Sequence, residues 1–130
     1  MKQIFISGNV PSSKNSRINT KNGSFFSTIV QRYIKATAEQ WMENRLLFLE
    51  MIQGLGKPYF IHLTFLRDSK RKFDYGNAHH ILFDLMKEWG YIVDDNADEV
   101  VPVYGKYEYN KKNPGVIIRV LSSKPQYEFI

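Results

Sequence analysis

The chain has 130 residues, no cysteine, and 18 Lys and Arg against 13 Asp and Glu, a formal net charge of +5. Without cysteine there are no disulfides, no thiolate metal sites and no thiol nucleophile, and no apolar run approaches the roughly 18 residues of a membrane span, so no membrane partner is expected. At 43% apolar and 24% charged residues the composition is that of an ordinary globular domain, and the length fits a single domain, 1–130, with enough core to fold without staples.

The first residues, MKQIFISGNV, are too short and polar for a secretory signal, which makes a cytoplasmic location the expectation. Residues 2–7 predict a short strand. A polar stretch from Gly8 to Asn22 reads as a loop, and Asn22-Gly23 can close a small hairpin between Arg17–Thr20 and Ser24–Phe26. Ser27 is placed to cap a long helix over about 28–52, stopped by Gly54 and Gly56. Its spacing puts Ile29, Tyr33, Ala36, Trp41, Leu47 and Met51 on an apolar side and Arg32, Lys35, Glu39 and Glu43 in water. KPYFIHLTFLR, 57–67, is the clearest strand. Asn77 can cap a second helix over about 78–89, with Gly90 as its stop, a buried stripe of Ile81, Leu82, Leu85 and Trp89, and a polar ridge of Asn77, His80, Asp84 and Glu88. Residues 99–109 and 115–121 read as two strands joined by the hairpin loop NKKNPG. This order predicts an α+β fold, with two helices packed on a mixed or antiparallel sheet.

Charge is unevenly divided. Residues 1–73 hold twelve Lys and Arg against four Asp and Glu, whereas residues 74–130 hold six against nine. A basic half suits an anionic partner such as nucleic acid. The acidic residues gather in two places, Asp74 within KRKFDYGN and Asp94, Asp95, Asp98 and Glu99 within DDNADE. Carboxylates beside Lys and Arg are what metal-assisted phosphodiester chemistry needs: hard oxygen ligands for Mg²⁺ and cations for the phosphate backbone. The same residues also suit a solvated loop whose Asp side chains cap turns. A helix of about twelve residues is about 18 Å long, so the two clusters meet only if the chain beyond Gly90 runs back along it.

Residues 70–99, KRKFDYGNAHHILFDLMKEWGYIVDDNADE, resemble the RusA family of Holliday junction resolvases. The shared pattern is a basic stretch, an Asp-x-x-Asn, a helix carrying Phe83-Asp84, Gly90 and the pair Asp94-Asp95 at matching spacing. GNVPSSKNSR, 8–17, is similar to the family's early Gly-x-x-Pro loop. The resemblance implies a small homodimeric, Mg²⁺-dependent endonuclease (Mn²⁺ being an alternative ion) of bacterial or phage origin that cleaves four-way or branched DNA. Carried over by position, it implies metal ligation by Asp74 and Asp95 with Asp94 as neighbour. His80 stands where the family has a functional Lys, so the implied catalytic set is Asp74, Asp95 and His80. DNA contacts fall to Lys14, Arg17, Lys70, Arg71, Lys72 and Phe73. Gly76 stands where a second metal-binding Asp is expected and removes a carboxylate; Asp94, Asp98, Glu99 and His80 are the substitutes at hand. The alternative is a junction-binding protein of the same fold with a weak or inactive site. A protein-interaction domain with incidental charge is the third reading. Asp84 reads as structural, His79 as facing solvent, His62 as an ordinary strand residue, and Tyr104, Tyr107 and Tyr109 as packing.

Overall fold

A computed structural model describes residues 2–12, 17–21 and 23–125, with 17–20 and 23–26 described by backbone alone. Its elements are β1 (Ile4–Ser7), β2 (Arg17–Thr20), β3 (Gly23–Phe26), α1 (Thr28–Ile52), β4 (Tyr59–Arg67), α2 (Tyr75–Glu88), β5 (Val100–Tyr104), β6 (Glu108–Tyr109) and β7 (Gly115–Leu121). The fold is α+β: two helices lie on one face of a mixed five-stranded sheet ordered β1-β7-β4-β5, with β6 also paired to β4. β2 and β3 form a separate antiparallel hairpin, with Arg17 opposite Phe26 and Thr20 opposite Gly23.

β4 is central because its alternation is the most complete. Ile61, Leu63 and Phe65 are fully buried on the face toward the helices, which period-2 geometry turns to one side. Across the sheet Ile4, Ile118 and Leu63 are in register, as are Ile6, Val116 and Phe65. This layer and the buried stripes of both helices form one hydrophobic core.

α1 begins at Ser27, whose hydroxyl accepts from Val30 N at 3.4 Å. The buried stripe differs from the expected one. Val30, Tyr33, Thr37, Trp41 and Phe48 face the core, a cleaner i, i+3/i+4 series than the predicted set, while Ile29 is 63% exposed. Thr37 is tolerated inside because its hydroxyl donates to the Tyr33 carbonyl and accepts from Trp41 Nε1, so its own polar group is satisfied. Lys35, Glu39 and Glu43 are exposed, as expected.

The C-terminal strands depart from the expected hairpin. Residues 99–109 break into β5 and β6, and both pair in parallel with β4; β7 lies on the other side of β4, antiparallel to it. Residues 110–114 therefore cross the end of β4 rather than turn back on β6, with Asn110 N donating to Arg67 O at 2.8 Å. The parallel β4-α2-β5 crossover is what a helix between two strands provides. No helix among the described residues is long and apolar enough to cross a membrane.

Candidate metal and nucleic-acid site

α2 starts three residues earlier than expected. Asp74, not Asn77, is its N-cap: Asp74 Oδ1 accepts from Gly76 N at 2.8 Å, and the Asp74 carbonyl accepts from Ala78 N. Asn77 lies inside the helix and donates through Nδ2 to Ser12 O at 3.2 Å. A Cβ added at Gly76 would meet one atom, Asp74 Oδ1 at 3.2 Å, which would have to shift slightly.

At the far end of α2 the chain does return. Gly90 takes φ +77, a conformation that favours glycine. Tyr91 then drops into the core, with its ring against Trp41 and Phe48 and its hydroxyl donating to the Trp41 carbonyl. From this anchor the segment runs back beside the helix. Asp94 caps its own turn, accepting from Asp95 N at 2.8 Å and Asn96 Nδ2 at 3.3 Å, and lies 3.5 Å from Lys87. These contacts hold its carboxyl below the usual carboxylate range; the Asp95 backbone N–H is the largest cause, followed by the Asp95 side chain. Residues 96–99 form a turn closed by Glu99 N and Val100 N donating to Asn96 O.

His79 lies where both acidic clusters come within electrostatic reach. Both Asp95 and Asp74 act on its imidazole as nearby negative charges. The ring is half-buried, stacked on His80 at 5.0 Å and packed edge-on to Phe83. Its Nδ1 lies 2.5 Å from the Tyr104 hydroxyl. Burial is the main cause that pushes the His79 pKa down; the His80 charge adds to it, and the Tyr75 backbone and the two carboxylates oppose it. The expectation of a solvent-facing His79 is thus corrected: parallel pairing carries Tyr104, the last residue of β5, to the first turns of α2. Burial also raises the Tyr104 pKa, and Asp74 raises it further. Tyr104 stacks on Tyr75 at 4.6 Å.

The remaining expected site residues divide. His80 is exposed on α2, one ring away from this convergence. Glu99 pairs with Lys57 at 2.6 Å, and Asp98 N donates to Asn96 Oδ1 in the turn. Among the described residues no three His, Cys, Asp or Glu converge as a ready metal-ligand set. Asp74 and Asp95 lie within electrostatic reach of the His79 imidazole without closing around it, and that imidazole is hydrogen-bonded with the Tyr104 hydroxyl. Lys70, Arg71 and Lys72 are exposed on the loop from β4 to α2. Phe73 is half-buried, edge-on to Phe65, Tyr75 and Tyr107, with the Arg67 guanidinium 4.7 Å over its ring. Lys14 lies outside the described residues, as does the side chain of Arg17 in β2. Sequence reasoning missed His79 and Tyr104. The alternation of Tyr104, Tyr107 and Tyr109 was visible, but it becomes informative only once β5 is known to run parallel to β4. No protein-family model matches this chain, and no curated protein matches it.

Proposed function

We propose that this protein is a metal-dependent endonuclease of branched DNA, RusA-like in fold and homodimeric, bacterial or phage-encoded and working in the cytoplasm. One observation carries the reading. Asp74, the N-cap of α2, and Asp95, on the segment that follows that helix, both lie within electrostatic reach of the His79 ring. The likeness of residues 70–99 to RusA resolvases had singled out that same carboxylate pair.

Two carboxylates suit a hard divalent cation that keeps most of its shell as water and substrate phosphate. Asp74 and Asp95 are the residues that would hold it. When bound, such an ion neutralises charge on the phosphate and lowers the pKa of water. The chain's own groups supply the rest. Asp74 spends one carboxylate oxygen on Gly76 N, and its other oxygen is the one offered to a cation. His79, whose pKa burial pushes down and whose Nδ1 is hydrogen-bonded with the Tyr104 hydroxyl, is the proton acceptor nearest the pair. The exposed Lys70, Arg71 and Lys72 supply phosphate contacts. Gly76 favours a second reading, a junction-binding protein with a weak site, because it leaves two carboxylates where the family has three.

The two readings separate on one set of variants. Asp74→Asn and Asp95→Asn are expected to abolish metal-stimulated nicking of a four-way junction while leaving junction affinity within a few-fold of wild type. Equal loss of binding and cleavage contradicts the metal role. Tight binding by the wild-type protein with no nicking establishes the second reading.

A further inference from the structure

Six exposed cations lie on two segments that strand pairing brings beside each other. Lys70, Arg71 and Lys72 lie on the loop after β4, and Lys106, Lys111 and Lys112 flank β6; all six are exposed, and none takes part in an ion pair among the described residues. The two groups come together because β6 pairs with the end of β4, placing Tyr109 opposite Arg67. Lys70 Nζ consequently sits 5.2 Å from the centre of the Tyr109 ring. Tyr109 is 48% exposed.

Two cation–aromatic pairs stand side by side here and differ in kind. Arg67 over Phe73 is interior: Arg67 is buried and donates to the Val10 carbonyl, so that pair serves the fold. Lys70 over Tyr109 is at the surface, with both side chains exposed. An accessible ring with an ammonium beside it is the combination that single-stranded nucleic acids use, the ring taking a base face and the ammonium the adjoining phosphate. A duplex offers its phosphates to such cations but keeps its base faces stacked inside.

We propose that Tyr109, with Lys70 and the lysines of the 106–112 segment, forms a stacking site for an unpaired nucleobase. The proposal rests on the nucleic-acid reading given above and adds to it what part of the nucleic acid is held: a strand with free base faces, as at a branch point, beside the loop that leads to Asp74.

The test is fluorescence anisotropy with a labelled oligo-dT strand and a labelled duplex of equal length, in EDTA so that nothing is cut. Tyr109→Ala is expected to weaken oligo-dT binding about tenfold or more and to change duplex binding less than about twofold. Tyr109→Phe keeps the ring and is expected to bind both like wild type. Lys111→Ala with Lys112→Ala is expected to weaken both ligands and to flatten the salt dependence, which Tyr109→Ala leaves unchanged. Since Tyr109 is exposed, circular dichroism melting of the variants is expected to match wild type. Equal losses on strand and duplex, or no loss on either, overturn the stacking site. If wild type nicks junctions yet Tyr109→Ala binds oligo-dT normally, the stacking site alone falls. If wild type binds neither nucleic acid nor junction, the nuclease reading falls with it.

Discussion

His62 lies on the half of β4 turned away from the helices, and among the described residues its buried Nδ1 has no hydrogen-bond partner. Its ring leans over Gly105, where an added Cβ would come within 2.8 Å of Cε1. Burial first, and the Arg119 charge on β7 second, lower its pKa below the ordinary 6.5. The folded state therefore takes up this proton less readily than the unfolded state. Stability from this group is complete above about pH 6.5 and is lost as pH falls through the depressed folded value. His79 titrates in the same direction. Melting temperature is expected to drop between pH 7.5 and 5.5, and His62→Gln to shrink that drop without removing it. A pH profile for His62→Gln that parallels wild type contradicts this assignment.

At the scale of elements, the segment after α2 decides whether the two acidic clusters meet, and Tyr91 is its anchor. Tyr91 is 2% exposed, packs on Trp41 and Phe48, and bonds back to α1 through its hydroxyl. Tyr91→Ala is expected to cost about 3–5 kcal/mol, as for other large aromatic truncations in cores. Tyr91→Phe is expected to cost about 1 kcal/mol for the lost hydrogen bond. Urea unfolding checks both; an alanine variant as stable as wild type would show that the segment is held by something else. Much of this level was legible in the sequence. Ser27 and the glycines after 52 marked α1 because capping is local chemistry. The start of α2 was misplaced because Asn77 offers an equally good cap to Asp74, and the Gly76 N–H contact decides between them. The strand partners were not legible: NKKNPG suits a hairpin, and which edge of β4 each strand takes depends on contacts far apart in sequence.

Across the whole molecule the fold rearranges charge that the sequence divides into a basic half and an acidic half. Lys106, Lys111 and Lys112 belong to the acidic half by number, yet β6 brings that segment beside Lys70. Asp74 and Asp95 meanwhile both come within electrostatic reach of His79 on α2. The candidate site was legible as a pair, Asp74 with Asp95, but not as a geometry, because the return past Gly90 is allowed by chain length and fixed only by Tyr91 in the core. Two symmetric cuts in a four-way junction call for two sites, which a two-fold dimer provides. Sedimentation is therefore expected to give twice the 15.3 kDa chain mass, at least with junction bound; a single chain on the junction contradicts the dimer.

The central claim is that the Asp74–Asp95 pair directs metal-dependent cleavage of branched DNA. The most direct measurement is nicking of an end-labelled synthetic four-way junction by the wild-type protein with Mg²⁺, with Mn²⁺ and with EDTA, beside a linear duplex of the same sequence. The account predicts paired nicks near the branch point with either metal, none in EDTA and none in the duplex. A junction left intact by protein that demonstrably binds it, under both metals, would contradict it.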